Sequence, residues 1–194
     1  MKILVGTNNL NKFKKYKEAF DIYAPEIELL NPSDLKIAED VEEDGDSLLE
    51  NAIKKAKFFG SKSKIITLAD DTGLFVDALN GEPGIHAKRW CEGSDHDRCV
   101  KLLERLEGKN RTARYKWVFA AYNPLNDKIW TFEYSLEGSM SDEFRDVGGF
   151  GYDKMFKLAS MDKHYSELSK EELAEIGGRG RAVKELILNS NFLK

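Results

Sequence analysis

Apolar positions along this chain change their spacing from segment to segment, and the changes mark out alternating strands and helices. Lys2–Val5 (KILV) reads as a short strand that breaks at Gly6 into the polar stretch TNNLNK, Thr7 to Lys12. Phe13, Tyr16, Phe20 and Tyr23 then recur at helical spacing, which gives strand, polar turn and helix. A second helical stripe, Leu49, Ala52, Ile53, Ala56 and Phe59, starts behind a capping-box spacing of Ser47 and Glu50 and is expected to stop at Gly60. The run Ile65 to Val76, IITLADDTGLFV, follows. Its first five apolar or small residues read as a buried strand that delivers Asp70 and Asp71 to a Gly-containing turn.

LNGEPG at 79–84 carries the Gly and Pro content of a loop. A helix from about Asp95 to Leu106 has Ser94 as a plausible cap, with Val100, Leu103 and Leu106 facing inward. Arg114 to Ala121 and Ile129 to Leu136 both alternate, separated by the turn signal NPLND, and together predict an antiparallel hairpin. Tyr115, Trp117 and Phe119 resemble a base-stacking platform, but alternating aromatics in a hairpin read as one buried sheet face. The tail has a capping box at Ser169–Glu172 and a short helix that halts at GGRGR, Gly177 to Arg181. A closing helix follows with Val183, Leu186 and Ile187 inward, and Arg179 falls in the loop before it. Strands interleaved with helices make the chain α/β.

Composition narrows the function classes. The 194 residues suffice for one folding unit with a sizeable core, and 41% hydrophobic with 33% charged residues is ordinary for a globular protein. Thirty basic against 34 acidic side chains give a net charge of -4, so no uniform basic field exists to hold a polynucleotide, and nucleic acid is not expected as a partner. No apolar run of about eighteen residues is present, and the KILVG start lacks the longer apolar region of a signal peptide, so a membrane role is not expected. Cys91 and Cys99 match neither a redox nor a zinc spacing, and a reducing cytoplasm is the simplest compartment.

Adjacent carboxylates at a strand end concentrate negative charge where a cleft can open, so Asp70 and Asp71 read as a metal and general-base station. In the acidic run EDVEEDGD at 39–46, a solvated loop competes with a magnesium-ligand loop, in which Glu42 or Glu43 would supply an oxygen beside Asp71. The first turn of the helix after TNNLNK suits phosphate oxygens, and Lys12 adds a mobile positive charge. The competing reading is that Asn9 or Asn11 merely caps the helix. Lys55 flanks its helix stripe where it can point into a cleft, whereas Lys54 and Lys57 lie toward solvent. GGFGYDKMF, Gly148 to Phe156, reads as a nucleobase or ribose pocket, with Phe150 or Tyr152 stacking and Asp153 orienting a hydrogen bond; a plain glycine turn is the alternative. Arg179 can reach a purine or phosphate, or lie on the surface.

Taken in order, TNNLNK, GDSLLENAIKKA, ADDTGL, LNGEPGIHAKRW and GFGYDKMF resemble the inosine triphosphate pyrophosphatase family over nearly the whole chain. The resemblance implies a single pyrophosphatase domain over 1–194. Its fold would be a mixed twisted central sheet flanked by helices, with two lobes around a nucleotide cleft, and it would work as a homodimer. It implies that Asp71 is the general base and a Mg²⁺ ligand, with Asp70 as companion carboxylate and Glu42 or Glu43 completing the metal coordination. Lys55 and Lys12 would neutralise the triphosphate. Thr7, Asn8, Asn9, Leu10, Asn11, Lys12 and Thr72 correspond to phosphate contacts, and Phe150, Gly151, Tyr152 and Asp153 to base and sugar contacts.

The tail departs from that pattern. Where the family has a Lys and an Asn, then Ser, His and Arg, this chain reads LAEIGGRG, which puts Leu173 at the Lys and Gly178 at the His and keeps Arg179. Two donors that read purine oxygens are thereby missing, for which Lys170 or Arg181 would have to compensate. The expected activity is Mg²⁺-dependent hydrolysis of ITP, dITP or XTP to nucleoside monophosphate and pyrophosphate. The alternatives are the same chemistry with a shifted base preference and a nucleotide-binding protein that does not hydrolyse.

Overall fold

The computed structural model describes residues 1–145 and 149–193. Its elements in chain order are β1 (Lys2–Val5), α1 (Leu10–Tyr23), β2 (Glu28–Leu30), α2 (Leu48–Ser63), β3 (Thr67–Val76), β4 (Pro83–Gly84), α3 (Asp95–Arg105), β5 (Thr112–Asn123), β6 (Lys128–Met140), β7 (Phe156–Leu158), α4 (Lys170–Ile176) and α5 (Gly178–Leu188). The sheet is mixed, in the order β2-β1-β3-β5-β6-β7 with β4 paired to β3. Strand β1 runs parallel to β2, with Ile3 opposite Leu29, and parallel to β3, with Leu4 opposite Thr67. Pairing is antiparallel between β3 and β4 and between β6 and β7. The Met140 N–H donates to the Arg111 carbonyl at 2.9 Å, so β5 returns on itself as β6 through the turn at 124–127, as the hairpin reading expected.

The chain divides into two compact units, Met1–Asp71 with Trp117–Tyr134 and Lys170–Lys194, and Thr72–Lys116 with Ser135–Ser169. In the first, Ile3, Leu4 and Val5 are all buried, so both faces of β1 are covered. Helix α1 packs on α4 and α5, burying Tyr16, Ala19 and Phe20. In the second, α3 lies on the short 3-10 turn Gly151–Lys154.

Several local expectations are corrected. Gly60 does not end α2, which runs on to Ser63 and closes on Lys64 in the left-handed conformation. A Cβ at Gly60 would lie 2.7 Å from the Tyr122 ring, so this glycine serves close packing rather than termination. Residues Thr72 and Gly73 form no turn, because β3 continues through both to Val76 and pairs there with β4. On α3 the inward positions are Cys99, Leu102 and Leu106, whereas Val100 is exposed. Tyr115, Trp117 and Phe119 are buried as expected. On β6 the aromatics Trp130, Phe132 and Tyr134 are half-buried and form a stacked row, with ring centroids 6.0 and 6.4 Å apart.

Candidate active site

Strand β3 carries Asp70 and Asp71 side by side. Successive residues of a strand project to opposite faces, and the two carboxylates accordingly meet different partners. Asp70 has a side chain only 1% exposed. Its Oδ2 accepts from Lys12 Nζ at 3.0 Å and from Arg179 Nη2 at 2.8 Å, while Oδ1 accepts from the Tyr16 hydroxyl at 2.8 Å. Burial alone would raise its proton affinity, but Arg179, Lys12 and Lys55 outweigh burial and hold the carboxyl far below the usual range. Lys12 is lowered as well: burial disfavours its ammonium more than Asp70 supports it. The Tyr16 phenol, raised by burial and then by Asp70, stays protonated and donates.

Asp71 sits among α2 side chains. Its Oδ2 accepts from the Asn51 amide at 3.1 Å and its Oδ1 from Lys55 Nζ at 3.3 Å. Burial raises its pKa, an effect Lys55 and Lys12 only partly offset. Lys55 Nζ also donates to Glu43 Oε1 at 2.5 Å, so one ammonium lies between two carboxylates from different segments. Burial works against that ammonium, yet Asp71, Glu43 and Asp70 raise its pKa on balance. Asn51 is held in turn, since its Oδ1 accepts the Gly45 N–H at 2.9 Å. The acidic loop is therefore not simply solvated. Of the two glutamates weighed there, Glu43 faces Lys55 and Glu42 is exposed.

The TNNLNK stretch takes the cap from one of its readings, while Lys12 is not the solvated lysine that this reading expects. Asn9 is the N-cap of α1, accepting from the N–H groups of Asn11 and Lys12, and its own N–H donates to Thr7 Oγ1 at 3.2 Å. Asn8, Leu10 and Asn11 are exposed, and Lys12 turns inward to Asp70. Arg179 does not sit in a loop: it occupies the first turn of α5, 7% exposed. Of the two residues that would have to compensate in the tail, Lys170 is exposed and Arg181 is held 3.8 Å from Glu175 and 5.8 Å from the Tyr134 ring centroid.

Thr72 and the Phe150–Asp153 group belong to the second unit. Within GGFGYDKMF, Gly148 lies outside the described residues. Gly151 takes φ +59 at the head of a 3-10 turn. Asp153 holds that turn, accepting the Phe150 N–H at 3.1 Å and the Tyr115 hydroxyl at 3.0 Å. Tyr152 is buried and its hydroxyl donates to the Ala87 carbonyl at 3.2 Å, so of the two rings Phe150 is the more exposed. Tyr16 and Asn51 carry no local signal as partners of the carboxylates: Tyr16 falls in an apolar stripe where nothing distinguishes its hydroxyl, and Asn51 stands one position after the capping glutamate.

The donor set fits Mg²⁺ and not a cation needing an all-protein cage. Two carboxylates, Glu43 and Asp71, already converge on one positive charge, and Mg²⁺ takes one or two carboxylates and completes its shell with water and phosphate oxygens. Among the described residues no group of three His, Cys, Asp or Glu side chains is gathered as a ready cation site.

A mixed α/β sheet that gathers two buried carboxylates with Lys12, Lys55 and Arg179 offers positive charge suited to a polyanionic phosphate ligand. The model of the Ham1 family matches residues 3–188, and the chain belongs to that family. A "dITP/XTP pyrophosphatase" of Thermoanaerobacter sp. (strain X514) is 39% identical over 191 residues, covering 96% of this chain and 94% of its own. Among solved structures, the Staphylococcus aureus Ham1 protein superposes with a TM-score of 0.83 at 32% identity over 100% of both chains. A "Nucleoside-triphosphatase / dITP/XTP pyrophosphatase" from Mycobacterium abscessus does so at 0.71 and 31% identity, over 96% of this chain and 98% of that one.

Proposed function

We propose that the protein hydrolyses non-standard purine nucleoside triphosphates, ITP, dITP and XTP, to the nucleoside monophosphate and pyrophosphate. The observation that carries this reading is the asymmetry of the carboxylate pair on β3, found in a chain 39% identical to a dITP/XTP pyrophosphatase. Asp71, with its proton affinity raised by burial, suits a general base on the attacking water. Lys12 and Arg179, organised by Asp70, and Lys55, organised by Glu43, supply the positive charge without which water cannot approach a polyanionic phosphorus. Mg²⁺ held by Asp71 and Glu43 would acidify the water and screen the phosphates. Cytoplasmic action as a homodimer completes the reading. Two free cysteines suit a reducing compartment, and no helix among the described residues is long and apolar enough to cross a membrane.

A second reading, the same hydrolysis with a shifted base preference, is favoured by the tail. A Cβ on Gly178 would overlap the Trp117 indole, so the position where the family pattern carries His has no room for any side chain. Incubating the protein with ITP, XTP, dITP, ATP and GTP in Mg²⁺, and identifying pyrophosphate against phosphate, separates the readings. Pyrophosphate from ITP, dITP and XTP is expected. Preference for ATP or GTP would select the shifted reading, and binding without turnover of any of them would overturn the enzyme.

A further inference from the structure

Arg179 reaches Asp70 from a turn of helix that has almost no side chains of its own. Its neighbours Gly178 and Gly180 are both buried, and each is closed off by a different surface. At Gly178 a Cβ would overlap the Trp117 indole of β5, and at Gly180 one would overlap the Leu173 and Ala174 carbonyls at the end of α4. The backbone of this turn is thus pressed against an aromatic ring at one glycine and against peptide carbonyls at the other. Gly177 N–H donating to the Leu173 carbonyl at 3.0 Å ties the α4 side. On the β5 side Trp117, 2% exposed, is itself braced by Tyr134, whose ring lies 6.1 Å away and whose face carries Arg181 at 5.8 Å.

An arginine side chain has many rotamers, so its guanidinium is placed only as well as its Cα is placed. We propose that Trp117 is a positioning residue of the pyrophosphatase: its indole, packed on the Cα of Gly178, sets the start of α5 so that Arg179 meets Asp70. Trp117 touches no reacting atom in this scheme. It acts through Gly178 on Arg179, and through the shared Asp70 oxygen on Lys12. The inference rests on the pyrophosphatase reading only in taking Arg179 as a substrate-binding group.

The test is a double-mutant cycle on ITP hydrolysis and on ITP affinity. Trp117→Leu is expected to lower kcat/KM about tenfold or more, chiefly through KM, because displacements near 1 Å of a positioned group cost up to about 10²-fold. In an Arg179→Ala background the same change is expected to cost less than about twofold, because contacting residues are not additive. Adding Gly178→Ala to Trp117→Leu returns volume to the contact and is expected to restore KM to within about threefold. Equal losses in both backgrounds, or an unchanged KM in Trp117→Leu, would overturn the proposal. Should Trp117→Leu fail to fold, Trp117→Phe takes its place in the cycle with the same criteria. If the native protein turns over no triphosphate, the pyrophosphatase reading falls, and the cycle read on ITP dissociation constants still decides the role of Trp117.

Discussion

Asp70 and Asp71 are covalent neighbours with the same side chain, yet the surroundings on the two sides of β3 give them opposite properties. On one side two cations and a phenol saturate Asp70 and depress its proton affinity. On the other, Asp71 has one ammonium, shared with Glu43, and one amide, and burial raises its proton affinity. A carboxylate locked by cations fixes their positions, whereas one with raised proton affinity can take a proton from water. The two surroundings therefore suit Asp70 to anchoring cations and, under the proposed function, Asp71 to the work of a base.

The largest expected separation between the two sides is in turnover. Asp71→Asn should lower kcat by about 10³-fold or more, on the scale of a lost general base, with nucleotide binding by calorimetry retained. Persistent turnover would take the base role away from Asp71. Next comes stability. Asp70→Asn removes a buried negative charge that both Lys12 and Arg179 contact and should cost about 3–5 kcal/mol in urea unfolding, whereas Asp71→Asn should cost clearly less. Equal losses would erase the distinction between anchor and base.

The smallest effect is in the pH dependence of stability, measured in EDTA. Asp71 has a raised folded pKa, so its stabilising contribution is full below its unfolded value and is lost as pH rises through the folded one. Asp70 has a depressed folded pKa, so its contribution is present above the unfolded value and is lost as pH falls toward the folded one. Just above the ordinary carboxylate range Asp71→Asn should flatten the decline of stability with pH, and below that range Asp70→Asn should flatten the rise. Each slope is bounded by one proton, about 1.4 kcal/mol per pH unit.

Elements defined by neighbours in the chain were legible. The strand β1, an Asn cap on α1, which the structure puts at Asn9, the hairpin of β5 and β6 and the start of α2 after Ser47 all follow from period, capping and turn residues within a few positions. Misreadings came where a residue's local preference was overridden by what packs on it. Gly60 looks like a helix stop but lies under Tyr122, Gly73 looks like a turn but lies against Gly84 and Phe75, and the glycines around Arg179 look like a loop but form the tight start of α5. A glycine reports that something comes close or that the backbone bends, and the sequence does not distinguish the two.

By itself, then, the sequence determined the order of strands and helices, the α/β class and the set of carboxylates, lysines and arginine that the proposed site draws on. Only the tertiary structure decided which of those groups meet. Arg179 reaches Asp70 across 109 positions and Asn51 reaches Asp71 across 20. Local periodicity describes which face a residue takes, but not what stands opposite it. The division of labour between Asp70 and Asp71 arises because a strand turns adjacent side chains to different faces and the fold lays different helices against them.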